Sequence, residues 1–188
     1  MAVRIENTFE VSETIGEVWA LLSDPRNVVG CVPGAKIIET VDDRTFKGAI
    51  SVKVGPSLTE YKGEVKIVRL EEQLHLLELD GRGQDVRGKG GASMKMTGSL
   101  EALDGGGTRV TAISEVNVVG MLAQFGGRML TDVSGVIFKQ FTERFQEKLK
   151  NPGAEIQGAD KPIKGVRVVS KALGQSIRRA LGGSDEPR

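Results

Sequence analysis

The residue types that most often do nucleophilic or acid–base work occur once each in this chain, as Cys31 and His75. Cys31 stands before Val32-Pro33 in a tight apolar turn, which suits a buried packing cysteine, with a Cys/His pair as the competing reading. His75, in Leu74-His75-Leu76-Leu77, reads as a structural or rim residue on a strand, able to hydrogen-bond a carbonyl. No His, Cys, Asp and Glu cluster has metal-ligand spacing, so no metal site is expected. The stretch Gly81 to Gly91, rich in glycine and bases, suggests phosphate chemistry. It precedes no helix start and has no Lys-Ser/Thr ending, so it is not a phosphate-binding loop. It reads instead as a mobile connection between strands, a lid over a cavity mouth, with its bases leaving a docking role open. No catalytic residue is assigned. An enzymatic reading would need a convergent titratable pair, for which Tyr61 and His75 are the candidates.

The elements that would position these residues follow from periodicity. Val3, Ile5, Phe9 and Val11 alternate with polar residues as a half-buried strand does, with Asn7 the one discord. Ser12 is the expected N-cap of a helix whose apolar stripe is Ile15, Val18, Trp19 and Leu22. Asp24-Pro25 opens a second short helix that ends near Val32-Pro33-Gly34. Six strand-like segments follow, near 35–41, 44–54, 58–69, 73–82, 91–103 and 108–119, separated by turn residues. From Met121 to about Lys150 the period becomes helical, through Leu122, Phe125, Met129, Val133 and Val136. This predicts an α+β domain over 1–150. A curved antiparallel sheet of about seven strands wraps the long C-terminal helix, the only element long enough to cover one sheet face.

Strand parity identifies the lining of the space between sheet and helix. Phe46, Ile50, Val52, Tyr61, Val65, Leu77, Met94 and Met96 face inward from the sheet, and Leu122, Phe125, Met129 and Val133 from the helix. Aromatic residues are only 4% of the chain, so few large rings are available to plug that space. Small inward residues, Gly48 and Gly98, point the same way. The expectation is an apolar cavity for an isoprenoid, acyl or ring-bearing lipid with one or two polar contacts. A closed core built from the same residues is the other reading.

Composition is ordinary for a globular chain of 188 residues, 39% hydrophobic and 27% charged. A single cysteine excludes an internal disulfide and suits a reducing compartment. Met1 to Glu6 does not read as a signal peptide, and no run of ~20 apolar residues could span a bilayer. A cytoplasmic protein is expected. Charge is unevenly placed, because residues 151–188 hold seven Lys or Arg against four acids. Residues 151–160, with Pro152, Gly153 and Gly158, read as a flexible linker.

At 100° per residue, Ile163, Val166, Val169, Leu173, Ile177, Ala180 and Leu181 fall within an arc of ~120°. Lys164, Arg167, Lys171 and Arg178 adjoin that arc, with Lys161 and Arg179 beyond. Residues 161–188 are therefore expected to bind an anionic inner-leaflet membrane through Ile163, Lys164, Val166, Arg167, Val169, Lys171, Leu173, Ile177, Arg178 and Leu181. Docking to an acidic protein groove or packing back on the domain are the rival readings. Nucleic acid is not expected, for want of aromatic interleaving and of a basic body behind the tail.

The short motifs then suggest a family. Asp24-Pro25, Cys31-Val32-Pro33-Gly34-Ala35, Gly48 through Lys53-Val54-Gly55-Pro56, Tyr61-Lys62-Gly63 and Phe125-Gly126 resemble the carbon monoxide dehydrogenase G-subunit family. That family belongs to the helix-grip, lipid-transfer and pollen-allergen-like superfamily. The resemblance covers roughly residues 1–150 and implies a ligand cavity and a link to the molybdenum-containing carbon monoxide dehydrogenase complex. A quinone, menaquinone or ubiquinone, is then the expected ligand, with no covalent cofactor. The protein would sit peripherally on the inner face of the cell membrane and link that enzyme to the membrane electron-transport chain. A maturation or assembly factor without a carried ligand is the alternative.

Overall fold

A computed structural model describes residues 1–54 and 57–152, apart from the side chains of Val54, Ser57, Met121 and Phe125. The linker beyond Pro152 and the whole amphipathic tail lie outside the described residues. Strand β1, Ala2–Val11, alternates exposed and covered residues along its length. It leads into α1, Ile15–Leu22, whose N-cap is Thr14 rather than Ser12. Thr14 and Glu17 form a reciprocal capping box, in which the Thr14 amide donates to the Glu17 carboxylate at 2.9 Å. The signal is the Glu three residues after Thr14, a spacing that Ser12 lacks. The one-turn helix α2, Pro25–Val28, has Pro25 in its first turn and is capped by Asp24, which also pairs with Arg26 at 2.9 Å. A 3-10 turn over Val29–Cys31 follows.

The remaining strands are β2 (Ala35–Thr40), β3 (Thr45–Val54), β4 (Ser57–Glu71), β5 (Leu76–Asp85), β6 (Gly90–Ala102) and β7 (Thr108–Gly120). They form one antiparallel sheet with β1, in the order β1-β7-β6-β5-β4-β3-β2. A 3-10 turn, Met121–Phe125, then precedes α3, Gly126–Lys150. The helix thus starts five residues later than the periodicity predicted. The expected architecture stands: a seven-stranded curved sheet gripping a long C-terminal helix.

The glycine-rich segment from Gly81 departs from the sequence reading. Gly81 to Asp85 continue β5, Gly90 and Gly91 begin β6, and only residues 86–89 connect them. The Asp85 carbonyl accepts from the Gly88 amide at 2.9 Å and the Asp85 side chain from the Arg87 amide at 2.7 Å. Gly88, at φ 70°, supplies the left-handed position that closes this turn. A tight turn of this kind is no lid. Glycine is needed in the strands for another reason. At Gly63 a Cβ would collide with the Arg82 carbonyl and come within 2.6 Å of the Gly83 Cα. Gly48, Gly63, Gly83 and Ala92 are successive cross-strand partners, so the sheet is creased along this row of small residues.

Two clusters close the end where α1 sits. Val11, Val18, Cys31, Val110 and Phe145 form one, and Trp19, Phe46, Ile67 and Leu77 the other. Phe145 locks the C-terminal half of α3: its ring lies 5.7 Å from Phe9 and is stacked on Phe141 at 5.5 Å.

Candidate functional site: the cup between sheet and helix

Cross-strand partners share a sheet face, which fixes the inner surface. Ile50 and Val52 pack against Leu122, Met129, Val133, Val136 and Ile137, so their face of β3 is the helix side. Register carries that face across the sheet: Ile50 is paired with Tyr61 and Tyr61 with Asp85. Next comes the row Gly48, Gly63, Gly83 and Ala92. Beyond that lies the row Phe46, Val65, Gly81, Met94 and Val116.

The residues expected to line a cavity fall into three groups. Phe46 and Leu77 are 4% and 7% exposed and belong to the packed floor with Trp19. Ile50, Val52, Leu122, Met129 and Val133 meet where β3 touches the helix. Val65, Met94 and Met96 stand on the inner face yet remain half-buried. The side chain of Phe125 lies outside the described residues. Val65, Met94 and Met96 are thus not fully packed against the helix. The cause is visible in the helix placement, since α3 packs chiefly on β1 and the two 3-10 turns. Its N-terminal half also packs on Ile50 and Val52 of β3, so it touches both sides of the sheet and approaches β4 and β5 less closely.

Polar groups inside this cup are few. Tyr61 and Asp85 are 7% and 6% exposed, and Thr59, the partner of Val52, is 4% exposed. None of the hydrogen bonds among the described residues involves the Tyr61 hydroxyl. Burial, reinforced by the Asp85 charge, raises the Tyr61 pKa and keeps the phenol a donor. Asp85 escaped the sequence reading because it lay in a segment read as a loop. Extending the parity Leu77, Leu79, Gly81, Gly83, Asp85 by two steps would have found it.

The other chemically capable residues are elsewhere. His75 lies in the β4–β5 turn at φ 47° rather than on a strand, and its ring meets Trp19 edge-on at 5.5 Å. It therefore supports the outside of the floor. Cys31 has no exposed surface, and burial pushes its thiol up to about 11. These positions leave no Cys/His pair among the described residues. No group of metal-ligating side chains is found among the described residues either. A separate trough of about 740 Å³ runs along the outer side of the crease, walled by Lys47, Lys62, Glu64, Arg82 and Gln84. It is open to water and bounded by charges, so it offers an apolar ligand little that the cup does not.

The family model for the carbon monoxide dehydrogenase G-subunit (CoxG) matches residues 8–150. The chain belongs to the CoxG family. No curated protein matches it. Among solved structures, a conserved protein from Geobacillus kaustophilus is 21% identical, with a TM-score of 0.71 over 79% of this chain and 95% of that one. The Zhui aromatase/cyclase from Streptomyces sp. R1128 is 11% identical at TM-score 0.52, covering 79% and 92%. Norcoclaurine synthase from Thalictrum flavum is 15% identical at TM-score 0.53, covering 80% and 88%. At these identities the likeness is one of fold, the helix-grip fold, which serves enzymes as well as binding proteins. No helix among the described residues is long and apolar enough to cross a membrane.

Proposed function

We propose that this CoxG-family protein is a non-enzymatic carrier. It holds a hydrophobic ring-bearing ligand, a respiratory quinone, and links the molybdenum-containing carbon monoxide dehydrogenase to the membrane electron-transport chain. The observation that supports this reading is the half-buried apolar inner face at Met94, Met96 and Val65, on strands to which α3 makes few close approaches. Burying that surface against a ligand gains roughly 25 cal/mol per Å² of apolar area. A quinone combines a long apolar body with a few ring oxygens, which suits an inner face where Tyr61, Asp85 and Thr59 are the buried polar groups and Ser114 and Asn7 are half-buried ones. Family membership supports the enzyme as partner.

The basic amphipathic pattern of 161–181 supports delivery at an anionic inner leaflet. Each base near such a surface contributes about 1 kcal/mol, and salt weakens the attraction. Against catalysis stands the placement of the only histidine and cysteine outside the cup. The assembly-factor reading keeps the family link but predicts a cup that never carries a ligand. Native mass spectrometry with organic extraction, on protein purified from its own host, separates the two. A quinone at near-stoichiometric occupancy is the expected result; an apo mass with no lipid recovered would favour assembly and overturn the carrier.

A further inference from the structure

We propose that Tyr61 and Asp85 form a donor–acceptor pair that grips a ring oxygen of the ligand and holds the reduced, hydroxyl-bearing ring more tightly than the oxidised, carbonyl-bearing one. This rests on the carrier reading above and names the chemistry by which the cup distinguishes two states of one ligand.

The two residues are direct partners across β4 and β5, on the face that meets α3. Both are more than nine-tenths buried. The phenol has its proton and no hydrogen-bond partner among the described residues. The carboxylate accepts from the Arg87 amide at 2.7 Å through Oδ1, and a carboxylate has about four acceptor positions in all. Closing the 85–88 turn occupies one of them. A turn-forming aspartate at a strand end does this equally well in water, so the turn does not account for burial beside a phenol. Gly83 lies alongside, where an added Cβ would come within 3.6 Å of the Tyr61 Cβ.

A carbonyl oxygen on an oxidised ring only accepts. It takes the Tyr61 proton donor and meets Asp85 lone pair to lone pair. A ring hydroxyl accepts from Tyr61 through its oxygen and donates its own O–H to Asp85. The second bond is charge-assisted, the stronger kind in a low-dielectric site. Binding alone is involved: neither residue changes oxidation state. One added bond of this type predicts about tenfold tighter binding of the reduced ring.

The test uses the full chain under anaerobic conditions. Its probes are a short-chain alkyl naphthoquinone, the corresponding naphthalenediol, and an alkylnaphthalene with the same side chain and no ring oxygen. The wild type is expected to bind the diol about tenfold more tightly than the quinone. Tyr61→Phe should weaken both oxygenated probes several-fold and leave the alkylnaphthalene unchanged, while Asp85→Asn should bring the diol-to-quinone ratio close to one. A wild type that binds both with equal affinity overturns the proposal without any variant. So do variants that weaken all three probes equally, because Tyr61 and Asp85 would then be structural. A wild type that binds the alkylnaphthalene but does not discriminate sinks this inference alone. One that binds none of the three sinks the carrier reading with it.

Discussion

A thiol with no exposed surface has lost the hydration that would stabilise its anion, and Cys31 is the case in this protein. Its pKa, up to about 11 against 9.0 for the free group, means that the unfolded chain ionises before the folded one. The sign follows: the contribution is fully present below about pH 9 and is lost as pH rises from there to about 11, with a ceiling of about 2–3 kcal/mol. Denaturant titrations between pH 8 and 11 should show this slope in the wild type and a flatter one in Cys31→Ala, after allowing for the cavity that substitution leaves. Equal slopes would mean that the thiol ionises within the fold. The packing role of Cys31 was legible because Val32-Pro33 follow it. The position of His75 was not, since a left-handed residue between Leu74 and Leu76 is set by the strands on either side. Asp85 shows a third situation, where the alternation was present but glycines on every other position disguised a strand as a loop.

Helix α3 is held unequally along its length. Near its C-terminal end Phe145 is fully buried and meets Phe9 and Phe141, whereas its N-terminal half rests on Ile50 and Val52. Truncating the anchored end should therefore cost more than truncating the other. Phe145→Ala is expected to destabilise by about 3–5 kcal/mol, and Val133→Ala by much less, as read from urea midpoints at unchanged slope. Comparable losses would mean that the helix is gripped evenly and that the space beside it is filled. Periodicity found this helix but set its start at Met121, because a 3-10 turn presents the same apolar residues over so short a span. Misplacing the first N-cap at Ser12 had a different cause. Ser12 and Thr14 are both good caps, and the choice rests on which one has a glutamate three residues later.

For the molecule as a whole, the grip and the tail are expected to be separable in their energetics. The family match ends at residue 150, and the tail beyond it reads in the sequence as a linker and an amphipathic segment. Removing 153–188 should leave the thermal midpoint within about 3 °C, a shift of no more than about 1 kcal/mol for a domain this size. Binding to anionic vesicles should fall at least tenfold; retained binding would assign membrane contact to the cup. Element order and strand parity were readable in the sequence because one sheet face is covered and the other wet, which imposes a two-residue period. The crease was not, because it depends on glycines from β3, β4 and β5 that meet only across the folded sheet.

The floor and the ring site also differ in the chromophores they hold. The chain contains one tryptophan and one tyrosine. Trp19 is packed with Ile67 in the floor, and Tyr61 lies six residues back along β4, about 20 Å away at strand spacing. Each end of the cup thus has its own optical signature, free of interference from a second residue of the same kind. Ultraviolet difference spectra near the phenol band report the ring site, and indole emission reports the floor. Titrating the unlabelled protein with the proposed ligand should therefore move one signal or both, and so report which end of the cup it reaches.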